Sequence, residues 1–211
     1  DVHFISRLGR DPFADMALAT WAKAGVTPQV SQHDDSYTGA AYIFVEESTG
    51  DNAIIVCPGV AGTISVADID AQAELIQNAA VFVTQFEQPM AAAKRGLTLA
   101  REAGVKTILN PAPAAEMPDG MLELCDFLTP NETEVEAITG VSVTSIDQAR
   151  QAADVLLARG VGAAVITLGE NGVLYHDPTQ SVHVPAFNDG PGVEPTAAPY
   201  TPTTPPTKRR G

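Results

Sequence analysis

Residues 80–109, AVFVTQFEQPMAAAKRGLTLAREAGVKTIL, decide the fold. Ala80–Thr84 is a short apolar run rich in β-branched residues, the pattern of a strand buried on both faces. Pro89–Ala103 follows at helical spacing, with proline at its start and Gly104 as its stop. Lys106–Leu109 is apolar again. Strand, helix and strand in so short a span make a βαβ unit, which places its two strands in parallel.

The same rhythm continues on both sides. Upstream, Val2–Ser6 is an apolar run and Pro12–Ala24 reads as a helix ended by Gly25. Val66–Asn78 reads as one further helix. Downstream, Asp126–Thr129 is a strand and Glu132–Ile138 a short helix ended by Gly140. Ser145–Arg159 is the clearest helix, since Ser145 and Gln148 have capping-box spacing and Gly160 follows. Ala163–Thr167, Gly172–His176 and Ser181–Pro185 are strands. The prediction is an α/β fold: a doubly wound, mainly parallel sheet flanked by helices. One segment breaks the rhythm. Ala40–Glu46 and Ala53–Cys57 are apolar runs around the turn residues Ser48-Thr49-Gly50-Asp51, which predicts a hairpin or small sheet around residues 38–57.

Composition narrows the function. The 211 residues carry 26 acidic and 12 basic side chains, a formal net charge of −14. That field repels phosphate backbones and anionic lipid, so neither a nucleic acid nor a membrane is an expected partner. No stretch approaches the ~20 apolar residues of a membrane helix. Asp1–Ser6 lacks the basic and apolar regions of a signal peptide. Two cysteines, Cys57 and Cys125, are too few for a disulfide scaffold, and a cytoplasmic setting is expected. Cys57 reads as a small buried hydrophobe. The four histidines, His3, His33, His176 and His183, show no ligand spacing. Residues 1–188 form the predicted domain. Residues 189–211 hold six prolines and almost no large apolar residue, and read as a disordered or out-of-frame tail.

Ligands of open parallel sheets sit beyond the carboxyl ends of the strands. Four predicted strands deliver polar segments there: Gln85-Phe86-Glu87-Gln88-Pro89, Asn110-Pro111-Ala112-Pro113, Pro130-Asn131-Glu132-Thr133-Glu134 and Leu168-Gly169-Glu170-Asn171-Gly172. Each has two readings. Glu87 precedes a helix, where a carboxylate complements the dipole; it could equally bind a ligand. Asn131 and Glu134 have capping-box spacing; they could equally contact a phosphate and a hydrated metal ion. Gly169 and Gly172 fit a tight turn, or a backbone brought close to nucleotide phosphates with Thr167 donating a hydroxyl. The dinucleotide Gly-x-Gly-x-x-Gly, the P-loop and the Gly-x-Ser-x-Gly elbow are absent from the sequence.

These segments, in this order, resemble the ribokinase branch of the PfkB carbohydrate kinases. The likeness is carried by Thr38-Gly39-Ala40-Ala41 with Ile43-Phe44-Val45, Gln85–Pro89, Asn110-Pro111-Ala112-Pro113-Ala114, Thr129–Glu134 with Thr139-Gly140, and Ile166–Gly172. It implies a ribokinase-like domain with a small β lid, and transfer of the ATP γ-phosphoryl group to a sugar hydroxyl, ribose to ribose 5-phosphate. By position, Glu87 would hydrogen-bond the sugar, with Ala41 and Val56 packing on it. Asn131 would contact nucleotide phosphate, and Glu134 would order the Mg2+ water shell. Thr167, Leu168, Gly169, Glu170, Asn171 and Gly172 would line the nucleotide site. A homodimer through the lid, and K+ in a full-length parent, are further implications.

Two family segments are missing from the 211 residues. One is the opening strand with sugar-binding Asn and Asp, followed by Gly-Gly-Lys-Gly-Ala-Asn. The other is Gly-Ala-Gly-Asp, whose Asp is the catalytic base and whose amides form the anion hole. The expectation is therefore an internal fragment, incomplete at both ends, with no catalytic base of its own and no turnover. The alternatives are a kinase of the same family acting on fructose, 2-keto-3-deoxygluconate or a nucleoside, and a non-catalytic sugar- or nucleotide-binding protein.

Overall fold

The computed structural model describes residues 1–46 and 52–187. The expected turn at Ser48–Asp51 and the tail at 189–211 lie outside the described residues. Two compact units are present: a body of Asp1–Ala40 and Cys57–Phe187, and a smaller unit at Ala41–Val56.

The body opens with β1 (Val2–Gly9), α1 (Pro12–Ala24) and β2 (Val26–His33). The reading of α1 is exact, and the caps explain why. The Asp11 carboxylate accepts from Ala14 N, Pro12 occupies the first helical turn, and Gly25 ends the helix at φ 72°. β1 and β2 pair in parallel from Val2 opposite Val26 to Gly9 opposite His33. β3 (Thr38–Val45) and β4 (Asn52–Gly59) form their own two-stranded sheet and carry the chain through the smaller unit.

Val66–Asn78 is two helices, α2 (Val66–Asp70) and α3 (Ala73–Gln77), and not one. The break sits at Gln72, whose ψ of 14° leaves the helical range. Ile69, Ala73 and Ile76 nevertheless share one apolar cluster, so the periodicity survives the break.

A six-stranded sheet follows, built from β5 (Val81–Thr84), β6 (Lys106–Leu109), β7 (Phe127–Leu128), β8 (Ala163–Thr167), β9 (Val173–His176) and β10 (Ser181–Val184). β5 to β8 are parallel; β9 and β10 add as antiparallel strands at one edge. Between them run α4 (Met90–Glu102), α5 (Glu132–Thr139) and α6 (Ile146–Ala158). β5 to β8 step in one direction, so right-handed crossovers put these helices on one face. Burial follows: Leu109, Leu128, Ile166 and Leu174 are fully buried beside Leu97, Val135 and Leu156. Each such side chain contributes about 1.5–3 kcal/mol. On the opposite face Val81, Val83, Val182 and Val184 are exposed.

β1 and β2 form a separate two-stranded sheet. Phe4 meets Trp21 of α1 with ring centroids 4.8 Å apart. Its neighbour Ile5 points to the other side, into a second cluster with Ile64, Ile69, Ile76 and Leu99. Phe82 of β5 packs against both clusters. Its ring lies over Gly96 in α4, where an added Cβ would come within 2.9 Å of Cε1 and closer still to Cζ.

β7 has only two residues, and side chains extend its grip. Thr107 N donates to Asp126 Oδ2 at 3.0 Å, and Asp126 N donates to Thr107 Oγ1 at 2.8 Å. Arg101 and Lys106 pair with the same carboxylate. This network locks the amino ends of β6 and β7 and leaves their carboxyl ends to the loops.

Candidate functional site

The loops after β5, β6, β7 and β8 meet at one rim, and backbone bonds tie them in series. Asn110 N donates to Thr84 O (3.0 Å), and Phe86 N donates to Ala112 O (2.8 Å). Thr129 N donates to Leu109 O (2.9 Å), and Thr167 N donates to Pro130 O (3.0 Å). Four strand ends are thereby held as one surface.

Glu87 stands at this rim with its side chain exposed. Phe86 beside it is buried in the main cluster and anchors the loop. Gln88 closes the turn, its amide donating to Thr84 Oγ1 at 2.7 Å and to Gln85 O. Among the described residues no hydrogen bond or ion pair engages the Glu87 carboxylate, and the helix-capping position before α4 is Pro89.

Asn131 and Glu134 do form the capping box. Glu134 N donates to Asn131 Oδ1 at 2.8 Å, and Asn131 N donates to Glu134 Oε2 at 2.9 Å. Glu134 is 7% exposed. The structural role does not exhaust either side chain: the box uses Asn131 Oδ1 and one carboxylate oxygen, leaving the Asn131 amide nitrogen and Glu134 Oε1. Their place at the start of α5 suits an anion, because free amides and the helix dipole point there. Glu132 and Glu134 in that first turn would repel a bare phosphate. The donor set therefore fits a phosphate that arrives with a divalent cation, with Glu134 addressing the cation through water.

The β8 loop lies against this helix start. Thr167 is joined to Pro130, and the Cβ position of Gly169 is 3.8 Å from Glu132 Oε1. The loop is a 3-10 turn, Gly169–Asn171, closed by Leu168 N donating to Gly172 O at 2.8 Å. Gly169, Glu170 and Asn171 are outward; the Leu168 side chain is 4% exposed and belongs to the core. Gly172 is required for a reason inside the chain. Its φ is 88°, and a Cβ would collide with Val184 O and come within 2.6 Å of Ala186 N. Asn131, Glu134, Thr167 and Gly169 are thus brought together, with Glu87 at the other end of the same rim.

Ala41 and Val56 belong to the smaller unit, and both side chains are exposed. Sequence reasoning passed over Asp11. Its signal was visible as an Asp before Pro12 at a helix start, but its second partner, Thr38, lies far along the chain. No cluster of three or more His, Cys, Asp or Glu residues suited to a metal occurs among the described residues. No described helix is long and apolar enough to cross a membrane.

A profile described as the pfkB family carbohydrate kinases matches residues 1–198. A ribokinase of Staphylococcus aureus is 35% identical over 188 residues, which cover 89% of this chain and 62% of the relative. A deoxyribokinase of Salmonella typhi is 34% identical over 188 residues, covering 88% and 61%. The structure of Arabidopsis thaliana ribokinase complexed with ribose and ATP superposes with a TM-score of 0.79 at 26% identity, covering 87% of this chain and 60% of that one. The chain thus spans about three fifths of the length of these relatives.

Proposed function

The chain belongs to the pfkB family of carbohydrate kinases, and from that premise we propose that it serves ATP-dependent phosphorylation of a sugar hydroxyl, with ribose converted to ribose 5-phosphate. The observation that carries this reading is the joined rim: an unengaged carboxylate at one end, and an anion-suited helix start fastened to a glycine turn at the other. Phosphoryl transfer demands mainly positioning and charge neutralisation, and such a rim supplies both.

Each residue has a part in the proposal. Glu87 accepts a hydrogen bond from a sugar hydroxyl. Ala41 and Val56 offer apolar contact to the sugar. Asn131 donates its side-chain amide to a nucleotide phosphate, and Glu134 holds water on Mg2+. The cation, when bound, supplies charge neutralisation for the phosphate oxygens. Thr167 to Gly172 flank the nucleotide, Leu168 through its backbone alone. The part we assign to these residues is the binding of sugar and Mg·ATP for that transfer. The setting we assign is the cytoplasm. The partner we assign is a second copy meeting the hairpin, where Tyr42, Ile43, Phe44, Val45, Ile54, Ile55 and Val56 are all exposed.

The test is titration of the chain with ribose, 2-deoxyribose, fructose and Mg·ATP by calorimetry, with a coupled assay for sugar phosphate. Saturable ribose and Mg·ATP binding is expected. A chain that binds neither a sugar nor Mg·ATP overturns the reading. The deoxyribokinase relative, similar over the same span, favours 2-deoxyribose as the second reading. Tighter binding of 2-deoxyribose than ribose would select it.

A further inference from the structure

Asp11 is a residue that the reading above leaves without a role. It follows β1, at the carboxyl end of that strand, and it does two things at once. One carboxylate oxygen accepts from Ala14 N at 2.9 Å and caps α1. The other accepts from Thr38 N at 2.7 Å, the first residue of β3. Thr38 is 6% exposed, and its hydroxyl accepts from Gly9 N at 2.9 Å.

The surroundings are packed backbone against backbone. A Cβ at Gly9 would lie 2.7 Å from Thr38 N and 2.8 Å from Asp11 Oδ2. A Cβ at Gly39 would lie 2.6 Å from Pro58 O. Gly59, at φ 53°, leaves no room beside Tyr37 O, and Val60 N donates to that same carbonyl at 2.9 Å. Residues 37–39 and 58–60 are therefore clamped to one another within the body. Two residues beyond the clamp, at Ala41, the smaller unit begins. The hydrogen bonds also hold the Asp11 carboxyl below its ordinary value, first through the Thr38 amide and then through the Ala14 amide.

We propose that Asp11 is a positioning residue for the start of β3: by holding the Thr38 amide it fixes the backbone from which the sugar-side hairpin departs. A helix cap alone needs one oxygen. The second oxygen is spent on a strand 27 residues away, which couples the start of α1 to the entry of the hairpin. This inference rests on the reading of Ala41 as a sugar contact.

Two variants separate the clamp from the cap. Asn caps a helix as well as Asp does, but it has one acceptor oxygen for two donors. Thr38→Val removes the acceptor for Gly9 N and leaves the α1 cap alone. A third, Ser145→Ala, removes the cap of α6 and serves as the control for cap loss in itself. The readouts are peptide-resolved amide exchange, ribose affinity and thermal midpoint, all on the full chain. We expect D11N and T38V to speed exchange over residues 37–45 about tenfold and to weaken ribose roughly three- to tenfold, the loss of about one hydrogen bond. S145A should shift the midpoint and leave both other readouts unchanged. Faster exchange with unchanged ribose affinity overturns the positioning role. Unchanged exchange in D11N overturns the clamp itself, whatever T38V shows, because T38V keeps the backbone amide that Asp11 holds. A wild-type chain that binds no ribose overturns the functional reading, and exchange then decides the clamp alone.

Discussion

Strand β8 and the hairpin are written in nearly the same letters. Ala163-Ala164-Val165-Ile166-Thr167 and Ala40-Ala41-Tyr42-Ile43-Phe44-Val45 are both apolar runs of small and β-branched residues. Their fates differ. Ala164 and Ile166 have no exposed surface, while Ile43 is 62% and Phe44 59% exposed. An apolar run specifies a strand; a helix placed over it specifies burial. β8 has α6 over it, supplied by the chain segment just before it. In the hairpin Ile43, Phe44, Ile54 and Ile55 stay exposed, and its apolar side chains are left for something else to cover.

The largest effect should separate the two regions by stability. Leu156→Ala in α6 opens a cavity at a site with no exposure and should cost about 2–5 kcal/mol in urea unfolding. Ile54→Ala, on the hairpin, should cost under about 0.5 kcal/mol. A comparable loss at both positions would erase the distinction.

Gly172→Ala comes next. The new methyl meets Val184 O at a positive φ, so β9 and β10 must part, at a cost of roughly 1–3 kcal/mol. Urea unfolding with exchange at Val173–His176 would show it; a variant as stable as the wild type would mean the turn yields freely.

Glu134→Gln tests the rim more gently. The Gln carbonyl keeps the capping bond to Asn131 N, so the midpoint should stay within about 2 °C. Mg·ATP should bind at least ~10-fold more weakly, because the charge facing the cation is gone. Unchanged Mg·ATP affinity would reduce Glu134 to a cap.

The smallest effect is an acid one confined to the body. Burial alone would raise the Asp68 carboxyl, but hydrogen bonds from Arg7 and from the Ser65 hydroxyl and amide outweigh it and hold it at about 2. A lowered carboxyl contributes stability above the ordinary range near pH 4, and the contribution is lost as pH falls toward 2. Its size, discounted for partial exposure, is on the order of 1 kcal/mol. The fall in stability between pH 4 and 2 should shrink by about that amount in Asp68→Asn; an identical pH profile would exclude the pair as its source.

Legibility in the sequence followed local chemistry. α1 and α6 were readable because Pro12, Gly25, Ser145 and Gly160 mark their ends beside a periodic apolar stripe. β2 was not. Val26–His33 contains Pro28 and five polar side chains, and only its parallel pairing with β1 makes it a strand. The break at Gln72 was hidden because the apolar period runs straight across it. At the rim, the Asn131–Glu134 spacing announced its own hydrogen bonds, and the glycine turn announced its shape. The core position of Leu168 and the reach from Asp11 to Thr38 depend on how distant segments pack, which no local spacing encodes.

Phe82 carries one more consequence. A single ring sits in both apolar clusters, admitted by the bare Cα of Gly96. Two cores that share a ring lose it together, so the body should melt in one cooperative step, with calorimetric and van't Hoff enthalpies equal. Filling that notch, as Gly96→Ala would, evicts the ring and lets each cluster melt on its own schedule. The bare Cα of Gly96 thus leaves room for a ring that helps couple the two clusters.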